Sequence, residues 1–166
     1  MEISIKSILL LGSVIFTGLS AGLFFAWSLS VIPGTLKISD SSYLEVMQSI
    51  NRAILNPAFF LIFFGSVVML SVGSIYLFHG SKPVFWLMLA ASATYLVGTL
   101  AVTGLGNVPL NDQLEALKLS ELNPTKMQEF REYYETNWNR LHRIRTLSAI
   151  AAFILSTVAL WINTRP

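Results

Sequence analysis

The sequence predicts an all-α protein, a four-transmembrane-helix bundle with extra-membrane amphipathic helices on one side. Three observations lead to this prediction. Apolar residues make up 54% of the 166 residues, whereas charged residues make up 12%, about half of their usual share in soluble proteins. Four stretches of helical length are almost free of charge, as side chains that face lipid must be. The polar stretches 33–56 and 106–145 separate them, and four spans place both stretches on one side of the membrane. The whole chain, residues 1–166, is therefore interpreted as a single membrane domain.

The first span is predicted at about 5–31. The uncharged run from Ser7 to Leu29 is long enough to cross a bilayer core and too long for the apolar part of a signal peptide. Pro33 and Gly34 then predict the end of the helix, because proline lacks the amide hydrogen that a helix interior needs.

An amphipathic helix is predicted within 39–56, where it would lie along the membrane surface or cover the mouth of the bundle. Its start is expected at Ser41 or Ser42, because Ser42 with Glu45 fits a capping box. Asn56, as an N-cap followed by proline, begins the second span, which is predicted at about 57–78.

The third span is predicted at about 84–105, and a separate short helix at 109–118. Asn123 and Pro124 predict the start of a long helix that continues without a break to Trp161. Only its last part, at about 146–162, is predicted to cross the membrane.

Composition excludes several classes of function. The net charge of +2 with no polybasic block argues against nucleic acid as a partner. The absence of cysteine excludes thiolate nucleophiles and cysteine-ligated metals. The two histidines, His79 and His142, are predicted on opposite sides of the membrane, so they cannot share a metal or a haem. The residues therefore predict no metal and no cofactor. The expected partners are a lipophilic small molecule and the lipid bilayer, and a homo-oligomer is left open.

The chain is expected to be a multi-pass integral membrane protein of a bacterial plasma membrane. Eight of the eleven lysines and arginines fall on the side of the polar stretches and three on the side of the termini. By the positive-inside rule the polar stretches would face the cytoplasm.

A stripe of side chains before the last span is the first candidate site. Tyr134, Trp138, His142 and Arg145 recur at steps of three or four and therefore share one helix face. One interpretation is ordinary anchoring at the membrane interface. The other is a functional mouth in which His142 moves a proton, Arg145 holds an anion or enolate, and Trp138 or Tyr134 stacks on a flat ring.

Three asparagines are the second group of candidates. Asn107 and Asn111 are four residues apart, and each could either cap the short helix or donate to a developing oxyanion. Asn51 would join them if the two polar stretches pack together.

Four segments together resemble the anthrone oxygenase-like integral membrane family, many of whose bacterial members are labelled only as a domain of unknown function. They are AGLFFAWSLSVIPG in the first helix, MQSIN followed by NP-x-FF, GNVPLNDQL, and WNRLHRIRT before the last span. The resemblance implies a four-helix membrane protein. It also implies a relation to proteins that oxidise anthrones to anthraquinones without an evident metal or flavin. The positions it implicates are Asn51, Asn107, Asn111, Trp138, His142 and Arg145.

These observations favour a membrane-embedded oxygenase-like protein that oxidises a lipophilic aromatic substrate without a cofactor. His142 would be the base, and Arg145, Asn107 and Asn111 would stabilise the enolate. The alternative is a non-catalytic accessory protein that binds a quinone, a lipid or another small ligand. A transporter is the weakest of the candidates, because the sequence shows no repeat and no charge within the predicted spans beyond Lys6 at the start of the first.

Overall fold

A computed structural model of the chain describes residues 4–164, which are helical apart from short connections and contain no strand. Three segments continue α-helices as wider π-helical turns and are labelled π1 to π3. In chain order the elements are α1 (Ile5–Ala26), π1 (Trp27–Val31), α2 (Ile32–Thr35), α3 (Asp40–Ala53), α4 (Pro57–Tyr76), α5 (Lys82–Tyr95), π2 (Leu96–Ala101), π3 (Thr103–Asn107), α6 (Val108–Glu115), a 3₁₀ turn (Leu119–Glu121) and α7 (Pro124–Asn163).

The long helices form a four-membered ring. Helix α1 packs against α4 and α7, and α5 packs against the same two helices from the opposite side. Helix α3 crosses one end of the ring, where it packs against α7 and α6. In the described part of the chain, four continuous helical stretches are long and apolar enough to cross a membrane. The prediction of an all-α bundle with four apolar spans is therefore confirmed.

Two predicted helix starts are confirmed at their caps. The side chain of Asn56 accepts a hydrogen bond from the Phe59 amide at the start of α4, with Pro57 as the first helical residue. Asn123 caps α7 in the same way, and α7 then continues without a break for 40 residues. In both cases a side-chain oxygen satisfies an amide that has no partner within the helix.

The predicted ends of the first and third spans are wrong, and for the same physical reason. Pro33 does not end the first helix, because α1, π1 and α2 follow one another without a break as far as Thr35. Pro109 likewise does not begin a separate helix, since α5 continues through π2 and π3 into α6. Each proline lies two residues beyond a π-helical segment. A π turn is wider than an α turn, and such a local adjustment accommodates a ring and a missing amide hydrogen that a regular α-helix would not.

The predicted start of α3 is also wrong, by one or two residues, because the helix begins at Asp40. Ser39 is the N-cap, and its hydroxyl accepts a hydrogen bond from the Ser42 amide. The capping box that was expected from Ser42 and Glu45 does not form, because Ser42 already lies within the first turn. The amphipathic character of α3 is as predicted: Tyr43, Leu44 and Met47 are buried against α6 and α7.

Arg131, on α7, connects the start of α3 and the residues before it to the end of the bundle. This side chain donates to the carbonyls of Thr35 and Ile38, pairs with Asp40 at 2.9 Å and Glu135 at 3.0 Å, and lies over the Tyr43 ring. Burial raises the pKa of the Tyr43 phenol, and the nearby Glu135 carboxylate acts in the same direction. Gln48 fastens the middle of α3 by donating to the carbonyls of Leu114 and Leu117. Helix α3 is thus held as a fixed cover over this end of the ring.

Candidate functional site

The predicted stripe on α7 faces the interior of the bundle. Tyr134, Trp138, His142 and Arg145 are all buried, because one face of α7 lies against α1, α3 and the π2–π3 segments at this level. The structure therefore brings these four predicted residues together along one wall. Their burial distinguishes them from an interfacial belt, whose arginine would reach toward water.

Arg145 is the least ordinary member of the stripe. It is only 8% exposed, and no carboxylate among residues 4–164 forms an ion pair with it. Its Nε donates to Nδ1 of His142 at 3.1 Å. The guanidinium lies 4.7 Å from the ring centroid of Phe24 and 4.8 Å from that of Trp138. The two rings attract the cation, yet its terminal nitrogens have no hydrogen-bond acceptor within the described chain.

The ring of His142 is fixed on both nitrogens. Nδ1 accepts from Arg145, while Nε2 lies 2.9 Å from the Ser28 hydroxyl and 3.2 Å from the Phe24 carbonyl oxygen. Because a carbonyl oxygen can only accept, this network assigns the ring proton to Nε2. The ring also stacks on Trp138 at a centroid distance of 5.1 Å and an interplanar angle of 10°.

Asn111 holds the aromatic side chains of the stripe in place. Its Oδ1 accepts hydrogen bonds from the Tyr134 hydroxyl and from Nε1 of Trp138, both at 2.9 Å. Asn51, on α3, donates to the same Tyr134 hydroxyl at 3.2 Å. The structure therefore brings Asn51 and Asn111, which come from the two separate polar stretches, to a single tyrosine. This chain of hydrogen bonds connects the α3 cover with the wall of the site.

Asn107 is buried at the end of π3. Its amide nitrogen donates to the Trp138 carbonyl at 3.3 Å, whereas its Oδ1 has no partner among the described residues. Its side chain caps no helix, and Asn111 lies inside α6, so the capping alternative is wrong for both asparagines. A buried acceptor without a partner is rare in proteins and often marks a place that a ligand or water completes.

These side chains border one cavity of about 90 Å³ that is partly open on one side. Its polar wall consists of predicted residues: Asn51, Asn107, Asn111, Trp138, His142 and Arg145. Its remaining wall is mostly apolar: Leu23, Phe24, Trp27, Ile50, Ile54, Leu55, Phe59, Thr103 and Val108. Tyr134 is not part of the lining and contacts it through its hydrogen bond to Asn111. A mostly apolar cavity with a few convergent polar groups is the usual form of a small-molecule site.

Sequence reasoning missed the contribution of α1 and π1. Phe24, Trp27 and Ser28 contact the histidine and arginine of α7 although more than 110 residues separate them along the chain. The missed signal is the proline that follows two of the three π segments, Pro33 after π1 and Pro109 after π3. Trp27 is the first residue of π1, and Asn107 is the last residue of π3. Single π turns within α-helices occur frequently at functional sites.

The described residues contain no group of three potential metal ligands of the histidine, cysteine or carboxylate type. His79 lies in the turn between α4 and α5, at the other end of these helices from His142. Arg145 and His142 nevertheless offer a cation and an imidazole to an oxygen-bearing ligand.

Comparison with known proteins gives one finding. Residues 59–155 match a family model described as anthrone oxygenase. The matched part begins near the start of α4 and contains Asn107, Asn111, Trp138, His142 and Arg145, while Asn51 lies outside it. No curated protein and no solved structure matches the chain.

Proposed function

The chain belongs to the anthrone oxygenase family, and we propose that it oxidises an enolisable, lipophilic aromatic substrate within the membrane, with oxygen as the oxidant and its own side chains as the catalytic groups. The observation that carries this proposal is the buried Arg145, which has no carboxylate partner and faces the cavity. The family match and the four apolar helices by themselves indicate a multi-pass membrane protein of this family. We propose in addition that this membrane is a bacterial plasma membrane.

The charge of Arg145 explains which substrate suits the cavity. An isolated buried cation is unfavourable by several kcal/mol unless it is paired or well hydrogen-bonded. The aromatic rings of Phe24 and Trp138 offset part of this cost, and an anionic oxygen would offset more. An enolate that forms during the reaction supplies such an oxygen. Because the enolate carries more charge than the neutral ketone, Arg145 would stabilise it selectively.

Asn107 indicates a second feature of the proposed substrate. Its free atom is an acceptor, so it suits a hydroxyl on the substrate, although the sequence had suggested a donor to the oxyanion. Asn111 uses its oxygen to hold Tyr134 and Trp138, which gives it a positioning role in this proposal. Trp138 and Trp27 line the cavity with aromatic rings against which a flat substrate can pack.

The proposed reaction balances with oxygen alone. A methylene carbon between two aromatic rings loses a proton to a base, and the resulting carbanion forms a carbon–oxygen bond with O₂. The peroxide takes up a proton and then loses water, which leaves a ketone. One oxygen atom enters the ketone and the other enters water, so the four electrons that the carbon loses are those that O₂ gains.

His142 is the proposed base, and the structure defines a condition for this role. The lone pair of Nδ1 faces Arg145, and Nε2 faces the Phe24 carbonyl and Ser28. A proton can therefore reach Nδ1 only after the hydrogen bond from Arg145 has broken. An oxygen of the substrate that binds to Arg145 competes for this guanidinium, so substrate binding would free the base.

The hydrogen bonds of His142 also favour the second candidate function, which is ligand binding without turnover. Both nitrogens of His142 are already satisfied, so the resting site can hold a quinone or phenol against Arg145 without moving a proton. The two candidates differ in whether oxygen is consumed.

Oxygen uptake by the purified protein with anthrone as the substrate tests the proposal. We expect Arg145→Ala and His142→Ala each to reduce uptake by about 10²-fold or more, as for the loss of an oxyanion donor or a general base. The matched controls are Arg143→Ala and His79→Ala, since both side chains are exposed and lie outside the cavity. Uptake in these two variants should equal that of the unaltered protein.

Three results would decide against catalysis of this kind. They are no uptake by the unaltered protein, uptake that both site variants retain, or a haem or flavin band in its absorbance spectrum. Binding of anthrone without uptake, with loss of binding in Arg145→Ala, would support the second candidate.

A further inference from the structure

The cavity is partly open, and the helix packing around it favours an opening between α4 and the segments that continue α5. Helix α4 packs against α1 and α5, but the π-helical segments that follow α5 pack mainly against α7. The two walls therefore separate at the level of the cavity. Leu55 and Phe59 line the cavity from the α4 side, and Thr103 and Val108 line it from the other side.

The side chains around this opening suit contact with lipid. Leu55 is 65% exposed, and Leu105, on the opposite wall, is 84% exposed. No charged side chain occurs from Val84 to Asn111, and α4 contains none either. A wall of this length without charge is typical of the hydrocarbon part of a membrane.

The route from water is covered by α3. Arg131 fastens the start of this helix, Gln48 holds its middle on the carbonyls of Leu114 and Leu117, and Arg52 near its end pairs with Glu115 at 3.2 Å. Within the described part of the chain, the side chains of Leu55, Phe59 and Val108 at the opening are apolar and form no such hydrogen bonds, and only Thr103 is polar. The hydroxyl of Thr103 bonds to the carbonyl of Thr99 within its own helix.

The size of the cavity fits a ligand that protrudes. A cavity of about 150 Å³ holds one benzene molecule, and this one measures about 90 Å³. A molecule with several fused rings can therefore place only one edge beside Arg145 unless side chains move. The rest of it would extend toward the opening.

We propose that the cavity exchanges its ligand directly with the lipid bilayer through the gap between α4 and π2–π3. The ligand is then a neutral, membrane-dissolved aromatic molecule that enters edge first and presents an oxygen to Arg145. This inference rests on the proposed function for the chemistry at Arg145, but it concerns the route and not the reaction.

The test uses reversible blocking of the gap. The chain has no cysteine, so Leu55→Cys creates a single thiol at the opening. A benzyl methanethiosulfonate reagent adds a ring there, and dithiothreitol removes it. Ile75→Cys is the matched control, because Ile75 is also apolar, is 75% exposed and lies at the other end of α4. Val108→Cys, on the opposite wall, replaces Leu55→Cys if the latter does not fold.

The readout is the quenching of Trp27 and Trp138 fluorescence after anthrone-loaded vesicles are mixed with the protein in vesicles. Trp86 and Trp161, which are exposed, are replaced by phenylalanine in all variants. We expect the Leu55 adduct to slow both association and dissociation at least about tenfold while Kd changes much less, because a barrier alters rates in both directions. The Ile75 adduct should change neither rate, and dithiothreitol should restore the Leu55 variant.

Equal rates for the two adducts, or weaker Kd without slower exchange, would overturn the proposed route while leaving the proposed function intact. Absence of quenching in the unmodified protein would overturn the proposed function, and the route would fail with it. Quenching without oxygen uptake would leave the route standing for a protein that binds its ligand without turnover.

Discussion

The two halves of α7 bury opposite kinds of side chain along the same face. Toward the end of the chain the buried residues are small: Ala149, Ala152, Ser156 and Ala159. Toward its start they are large and polar: Tyr134, Trp138, His142 and Arg145. Small residues let neighbouring helices approach closely, whereas large side chains keep them apart. The site therefore arises from a change in side-chain size along one helix.

The halves also differ in how their polar groups are satisfied. In the close-packed half, the Ser156 hydroxyl donates to the Phe153 carbonyl of its own helix and lies 3.2 Å from the Thr17 hydroxyl. In the site half, His142 and Trp138 bond to groups from α1, π1 and α6. Arg145 retains unpaired donors there. Ser156 is thus satisfied within the described chain, whereas the site half, with these donors, is left incomplete.

The close-packed half should be the more sensitive to added volume. Ala152 is fully buried, so Ala152→Leu inserts three carbons where no space exists. We expect a loss of about 1–3 kcal/mol or more in the free energy of unfolding, seen as a lower midpoint of thermal unfolding in detergent. Ala93→Leu, on an exposed face of α5, is the control and should unfold at the original temperature. Equal midpoints for the two variants would show that this half is not close-packed.

The site half should be sensitive to lost polarity. Asn111→Leu leaves the Tyr134 hydroxyl and the Trp138 indole without their acceptor, at a cost of about 1–3 kcal/mol for a buried unsatisfied group. Asn111→Asp retains an acceptor and should recover much of this loss. Asn137→Leu removes an amide that bonds to the Tyr133 carbonyl of its own helix, and we expect a change within about 0.5 kcal/mol. Thermal midpoints compare the three variants, and an Asn111→Leu midpoint as high as that of Asn137→Leu would contradict the prediction.

Regular features of the sequence predicted the architecture well. Charge-free stretches located the four long helices, helical spacing grouped the α7 stripe, and the Asn-Pro pairs marked the starts of α4 and α7. These signals are local and depend on the helix period or on a single cap. They also led to the residues that line the polar wall of the cavity, although their roles remain predictions.

The parts that could not be predicted depend on contacts between distant segments. Pro33 and Pro109 were interpreted by the rule for regular α-helices, and the π turns that accommodate them are not evident from local preference. Phe24 and Ser28 lie in the uncharged first span, and nothing in the local sequence connects them with His142 and Arg145. The free oxygen of Asn107 likewise becomes visible only when its neighbours are known.

A smaller effect is expected where α3 meets the site. Tyr134→Phe removes the acceptor of Asn51 and one donor to Asn111, but Asn111 keeps its bond to Trp138 and Asn51 is partly exposed to water. We expect a loss of about 1 kcal/mol. Because Asn51→Ala removes the same contact, the double variant should lose less than the sum of the two single losses, as contacting residues do in a double-mutant cycle. Strict additivity would mean that the cover and the wall are not connected through this bond.

The smallest effect is expected at the partner of His142 on π1. Ser28→Ala deletes the hydroxyl 2.9 Å from Nε2, but the Phe24 carbonyl remains at 3.2 Å. A carbonyl oxygen accepts and cannot donate, so Nε2 should keep its proton and Nδ1 should continue to accept from Arg145. We expect a change in stability below about 0.5 kcal/mol, the usual result when no buried group loses its last partner. Nitrogen-15 chemical shifts of the imidazole, measured with His79→Gln so that one histidine remains, should assign the proton to Nε2 before and after the change. A proton on Nδ1 in either protein would mean that Arg145 does not donate to this ring, and the incomplete half of α7 would then lose the contact that orients its cation.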